Sequence, residues 1–69
     1  MRYSRLSKTK YATLLALLEK YEQRTGEPAS KVWDRWFKVF ARSPAYATRP
    51  RDVVVRETAK ALVNTLRDL

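Results

Sequence analysis

Neither cysteine nor histidine occurs in the 69 residues of this chain. Without cysteine there is no disulfide framework and no thiolate metal site. Without histidine, the commonest general base at neutral pH and the commonest metal ligand are missing as well. What remains for catalysis is thin. Glu19 and Glu22 sit three residues apart on a lysine-bearing segment, and an exposed carboxylate pair of that kind describes a salt-bridging surface better than a site. The chain is expected not to be an enzyme, to use no cofactor and to bind no metal.

Long apolar runs are absent too. The longest stretch without a charge is Tyr11 to Leu18, far short of the about 20 residues that a membrane-spanning helix needs. The first eighteen residues are basic, acid-free and contain Ser and Thr, as a cleaved targeting segment does. Glu19, Lys20 and Glu22 follow, however, where a small-residue cleavage site belongs, and Leu14, Leu15 and Leu18 are needed for a core. An intracellular, cytoplasmic protein is expected, with no membrane partner.

Glycine occurs once, at Gly26, and proline at Pro28, Pro44 and Pro50. These four residues punctuate the chain. Gly26 and Pro28 end one helix and begin the next; Ser43 is forced out of the helical region by Pro44, and Pro50 suits a first helical turn. Between them the apolar residues recur with helical period. Tyr11, Leu14, Leu15, Leu18 and Tyr21 share one face, with Leu17 at its margin. Ala29, Val32, Trp33, Trp36, Phe37, Val39 and Phe40 share another; Val54, Val55, Thr58, Ala59, Leu62, Thr65, Leu66 and Leu69 share a third. Val53 to Val55 alone read as a strand, but the helical period continues after them and no second strand candidate exists. The expectation is an all-α, compact three-helix bundle with helices over roughly residues 8–24, 28–42 and 51–68. Residues 1–69 form one domain with a short basic N-terminal arm, the first helix capped by Ser4 or Ser7.

Acidic residues are scarce: seven Asp and Glu face fifteen Lys and Arg, a formal net charge of +8. An imbalance of one sign repels itself in the compact state, and a polyanion relieves it. Its placement matters more than its size. Lys31, Arg35, Lys38 and Arg42 follow one another at i, i+4, i+7 and i+11, so at about 100° per residue they form a row opposite the aromatic side, extending on the order of 16 Å. Several phosphates of one strand match that length.

Cations are stabilised at helix C-termini, which accounts for Lys38 and Arg42. Lys8 and Lys10 at the start of the first helix, Lys31 early in the second, and Arg49 and Arg51 at the start of the third all oppose that rule. A docked anion explains them, because free amides at a helix N-terminus and nearby guanidinium groups bind phosphate together. The outer side of the third helix, with Arg56, Glu57, Lys60, Asn64, Arg67 and Asp68, mixes both signs and reads as a solvated face.

Reading base edges in a major groove uses Asn or Gln for adenine, and the outer side of the second helix carries neither; Gln23 and Asn64 are the chain's amides. Backbone contact with little sequence preference is therefore favoured over a helix-turn-helix. Tyr3 and Tyr46 lie outside the helical periods, where a ring either stacks on an unpaired base or pins its loop to the core. Trp33, Trp36, Phe37 and Phe40 are expected to point inward, since the Leu and Val stripes alone offer too little apolar area; lying in a lipid interface or in a partner's groove is the alternative.

The expected function is binding of the phosphate backbone of DNA or RNA through Lys31, Arg35, Lys38 and Arg42, assisted by Arg49, Arg51 and the arm residues Arg2, Arg5, Lys8 and Lys10. Such a protein acts as a regulator or as a small subunit of a nucleoprotein complex, for example an RNA-guided one. The competing expectation is a protein-binding module, such as a phage-type inhibitor that lays its basic face on an acidic partner protein.

Overall fold

A computed structural model describes residues 1–68, which fold as three α-helices with no strand among them. Helix α1 spans Ala12–Thr25, α2 spans Ala29–Arg42 and α3 spans Arg51–Leu66, preceded by one 3₁₀ turn at Tyr3–Arg5. Each helix packs on the other two and the 3₁₀ turn packs on α2, so the all-α three-helix bundle expected from the periodicity is the fold. Leu69, assigned by that periodicity to the inner side of the third helix, lies outside the described residues.

The start of the first helix differs from expectation, at Ala12 rather than near residue 8. Ser7 does cap, but it caps a separate turn: its Oγ accepts the Lys10 N–H at 3.1 Å and its carbonyl accepts the Tyr11 N–H at 3.0 Å. Tyr11, at φ −113° and ψ 32°, then departs from helical geometry before α1 begins. Lys8 and Lys10 thus precede α1 instead of occupying its first turn, where the positive end of the helix would repel them.

Gly26 ends α1 in the left-handed region, at φ 79°, and its N–H donates to the Glu22 carbonyl at 2.8 Å. The same residue has a second role. The Glu22 carboxylate reaches over the turn and accepts the Ala29 N–H at 2.7 Å, so an acid of α1 caps the N-terminus of α2, whose own capping position is filled by Pro28, with no side-chain hydrogen bond to give. Pro50 begins α3 in the same way, and Asp52 supplies the favourable first-turn charge. Val53 to Val55 are helical, with Val54 and Val55 buried.

The core gathers Leu14 and Leu18 from α1, Val32 and Trp33 from α2, and Val55, Ala59, Leu62 and Leu66 from α3, together with Leu6 of the N-terminal segment. Thr58 is buried without penalty because its hydroxyl donates to the Val54 carbonyl at 2.7 Å. The aromatic side of α2 is less enclosed than the sequence implied. Trp33 is fully buried, whereas Trp36, Phe37 and Phe40 are half-buried and Val39 is 65% exposed. A bundle of this size has only one inner sector per helix, and seven apolar residues of α2 spread wider than that sector. The N-terminal arm is likewise not free: Leu6 is buried, Tyr3 packs on the core, and the Met1 carbonyl accepts the Trp33 indole N–H at 2.9 Å.

Loss of the Glu22 cap is the sharpest stability test of this arrangement. Glu22→Ala is expected to cost about 1 kcal/mol, which lowers the melting temperature by about 4–8 °C for a domain of this length, while Glu22→Gln, which keeps an oxygen acceptor, loses less. Thermal denaturation followed by circular dichroism measures both.

Candidate nucleic-acid interface

Four cations on α2 project from its outer edge, and all of Lys31, Arg35, Lys38 and Arg42 are exposed. They are not equivalent. Arg35 is held by Glu27 from the turn before α2 through paired hydrogen bonds, Nη1 to Oε2 at 2.8 Å and Nη2 to Oε1 at 3.0 Å. This fork satisfies the guanidinium's planar donors. It also holds the Glu27 carboxyl below the ordinary glutamate range, chiefly through the hydrogen bonds from Arg35, with the Tyr21 hydroxyl and the Lys31 charge adding to it. The N-terminal half of the row is thereby partly neutralised by a carboxylate that helical period alone could not place beside it.

The C-terminal half is better equipped. Lys38 and Arg42 share a cleft of about 430 Å³ with Arg2, Phe37 and Asp34, because the N-terminal segment lies along α2. Around the corner a hollow of about 280 Å³ is lined by Arg49, Arg51, Phe37 and Tyr46. A third, of about 380 Å³, collects Arg5, Lys10, Tyr11, Arg51 and Asp52. Of the expected site residues, then, Arg2, Arg5, Lys10, Lys38, Arg42, Arg49 and Arg51 line adjoining hollows; Arg35 is engaged by Glu27, Lys31 stands exposed at the far end of α2, and Lys8 is exposed in the turn and lines none of the three.

Sequence reasoning missed a further row. Between α1 and α3 runs a cleft of about 430 Å³ whose rim carries Lys10, Arg56, Lys60, Asn64 and Arg67, with no acid in its lining. Arg56, Lys60 and Arg67 repeat the i, i+4, i+11 spacing of α2, a signal that was legible. The neighbouring Glu57 disguised it as a mixed face. In the fold Glu57 turns toward the loop after α2, where it accepts a long hydrogen bond of 3.5 Å from the Tyr46 hydroxyl and lies 3.8 Å from Lys60.

Both loop tyrosines pin their segments. Tyr46 packs its ring on Phe40, centroids 5.7 Å apart, besides its bond to Glu57. Tyr3 packs on the core, and burial, followed by the Glu19 and Glu22 carboxylates, pushes its phenol above the ordinary tyrosine range. Tyr11 is half-buried at the mouth of the α1–α3 cleft, with the Lys10 ammonium 5.6 Å from its ring centroid.

Among the described residues no group of three or more His, Cys, Asp or Glu is arranged to hold a metal ion, and no helix is long and apolar enough to cross a membrane. No protein-family model, curated protein or solved structure matches the chain.

The Glu27–Arg35 pair makes a pH prediction of definite sign. Because the folded carboxyl lies below its unfolded value, the pair stabilises the fold above the ordinary glutamate range and loses that contribution as pH falls through the depressed folded value. A carboxyl-carbon NMR titration is expected to place Glu27 below an ordinary glutamate, and Arg35→Gln to move its midpoint back up; an unchanged midpoint in the variant contradicts the pairing.

Proposed function

We propose that the protein binds nucleic acid through its phosphate backbone, with little sequence preference, as a regulator or a small subunit of a nucleoprotein complex in the cytoplasm. It is a binding protein rather than an enzyme. The observation that carries this reading is the set of adjoining hollows in which Arg2, Lys38, Arg42, Arg49, Arg51 and Arg5 converge while Asp34 and Asp52 are the acids in their lining. Guanidinium groups converging from three separate chain segments suit phosphate oxygens, which take two parallel hydrogen bonds from each. No amide side chain stands among them to read a base edge.

A second reading rests on a different observation. Trp36, Val39 and Phe40 leave an exposed apolar patch on α2 beside Arg35. An exposed apolar patch on a helix that also carries a cationic row suits an acidic partner protein, in the manner of a phage-type inhibitor.

Salt titration with random-sequence oligonucleotides separates the contact residues. Each phosphate neutralised adds about 0.9 to the log–log slope on duplex and about 0.7 on a single strand. Replacing both Lys38 and Arg42 by Ala is expected to flatten the slope by about 1.8 or 1.4 respectively. Replacing both Lys31 and Arg35 is expected to do less, since Glu27 already holds Arg35. Parental slopes in the Lys38/Arg42 variant remove this face as the contact surface. Val39→Ser trims the apolar patch and leaves every cation, so oligonucleotide affinity is expected to stay at the parental value; a loss there places the patch inside the nucleic-acid contact and removes it as a separate protein-docking surface.

A further inference from the structure

The hollows are joined to one another through shared residues. Met1 lines both the Arg2–Lys38–Arg42 cleft and the hollow containing Arg5 and Arg51. Lys10 and Tyr11 line both that hollow and the α1–α3 cleft with its Arg56, Lys60 and Arg67 rim. A continuous cationic band therefore passes from the outer side of α2, past the N-terminal turn, into the cleft on the far side of the bundle. Its two ends face different directions. Every helix packs on the other two, so a cleft between α1 and α3 opens away from α2.

Resting on the nucleic-acid reading above, we infer that the occupant of this band is a single strand, wrapped around the N-terminal turn, and not a duplex. The body measures about 35 × 22 × 20 Å, and the band passes around it from one side to another. Duplex DNA has a persistence length of about 50 nm, and bending even 20–30 base pairs by 40–90° costs about 1–6 kcal/mol, so a duplex touches one end of the band and leaves the other empty. A single strand follows the turn freely. Half-buried rings stand along the route, Phe37 in the α2 cleft and Tyr11 at the junction with the far cleft, each able to stack an unpaired base as aromatic platforms do in single-strand grooves. The far cleft itself suits a charged polymer. Its lining brings together Lys10, Arg56, Lys60 and Arg67 and holds no acid, an arrangement that phosphates match.

The test is the double variant Arg56→Ala/Arg67→Ala, both positions exposed, with random 30-residue single strands and the matching duplex as probes. Circular dichroism confirms that the variant keeps its helices. The parent is expected to bind the single strand more tightly than the duplex at equal salt. The variant is expected to flatten the single-strand slope by about 1.4, so that between 50 and 200 mM salt it loses about seven-fold less affinity than the parent, while its duplex slope stays parental. Equal binding of both probes by the parent, or a parental single-strand slope in the variant, overturns the wrapped single strand and leaves phosphate binding by α2 standing. Absence of binding to either probe overturns both.

Discussion

The Trp33 indole, enclosed by side chains of all three helices, donates its N–H to the Met1 carbonyl at 2.9 Å and stacks on Phe37 at 5.7 Å. Much of the surface chemistry depends on that one donor. A buried indole N–H left without an acceptor is costly, and here the acceptor is the backbone of a segment that would otherwise be a loose arm. Satisfying it lays the N-terminal segment along α2, with Leu6 inserted into the core and Arg2 beside Lys38 and Arg42. A contact made for packing reasons thus assembles cations that are about forty residues apart in the chain.

The acids are deployed with the same economy. Glu22 caps α2, Glu27 holds Arg35, and Glu57 is turned toward Tyr46 with Lys60 at its edge. Exposed ion pairs contribute little to stability, and these do not offset the excess of +8. The self-repulsion stays in the folded molecule, concentrated where Arg2, Arg5, Lys38, Arg42 and Arg51 line neighbouring hollows. An anion bound there would relieve it and, by binding only the folded form, would stabilise the fold.

How much of this was legible in the sequence depends on whether a feature is local. Helical period, the Gly26 stop and the proline starts place three helices within a few residues, because they act over one or two turns. The first helix begins later than its apolar period implies because Ser7 caps a turn that does not continue, and the departure of Tyr11 from helical geometry has no signature in residue type. The cationic row of α2 was legible as a row, but not that Glu27 would swing back over eight residues to occupy its second member. The row on α3 has the same spacing and is obscured by Glu57, whose carboxylate lies between Lys60 and Tyr46, the latter in a loop eleven residues away. The enclosure of Trp33 but not of Trp36, Phe37 or Phe40 follows from how the three helices cross, which periodicity does not encode.

By itself the sequence determined that this chain is helical, that it carries neither histidine nor cysteine, and that one edge of its middle helix is cationic. These follow from backbone preference, composition and a fixed rise and rotation per residue. Only the tertiary structure decided which cations face one another, which are already engaged by a carboxylate, and that the hollows between helices join into a band. Those relations depend on side chains brought together from distant parts of the chain by the burial of Leu6, Leu14, Leu18, Trp33 and Leu62, a requirement of packing that no local pattern contains.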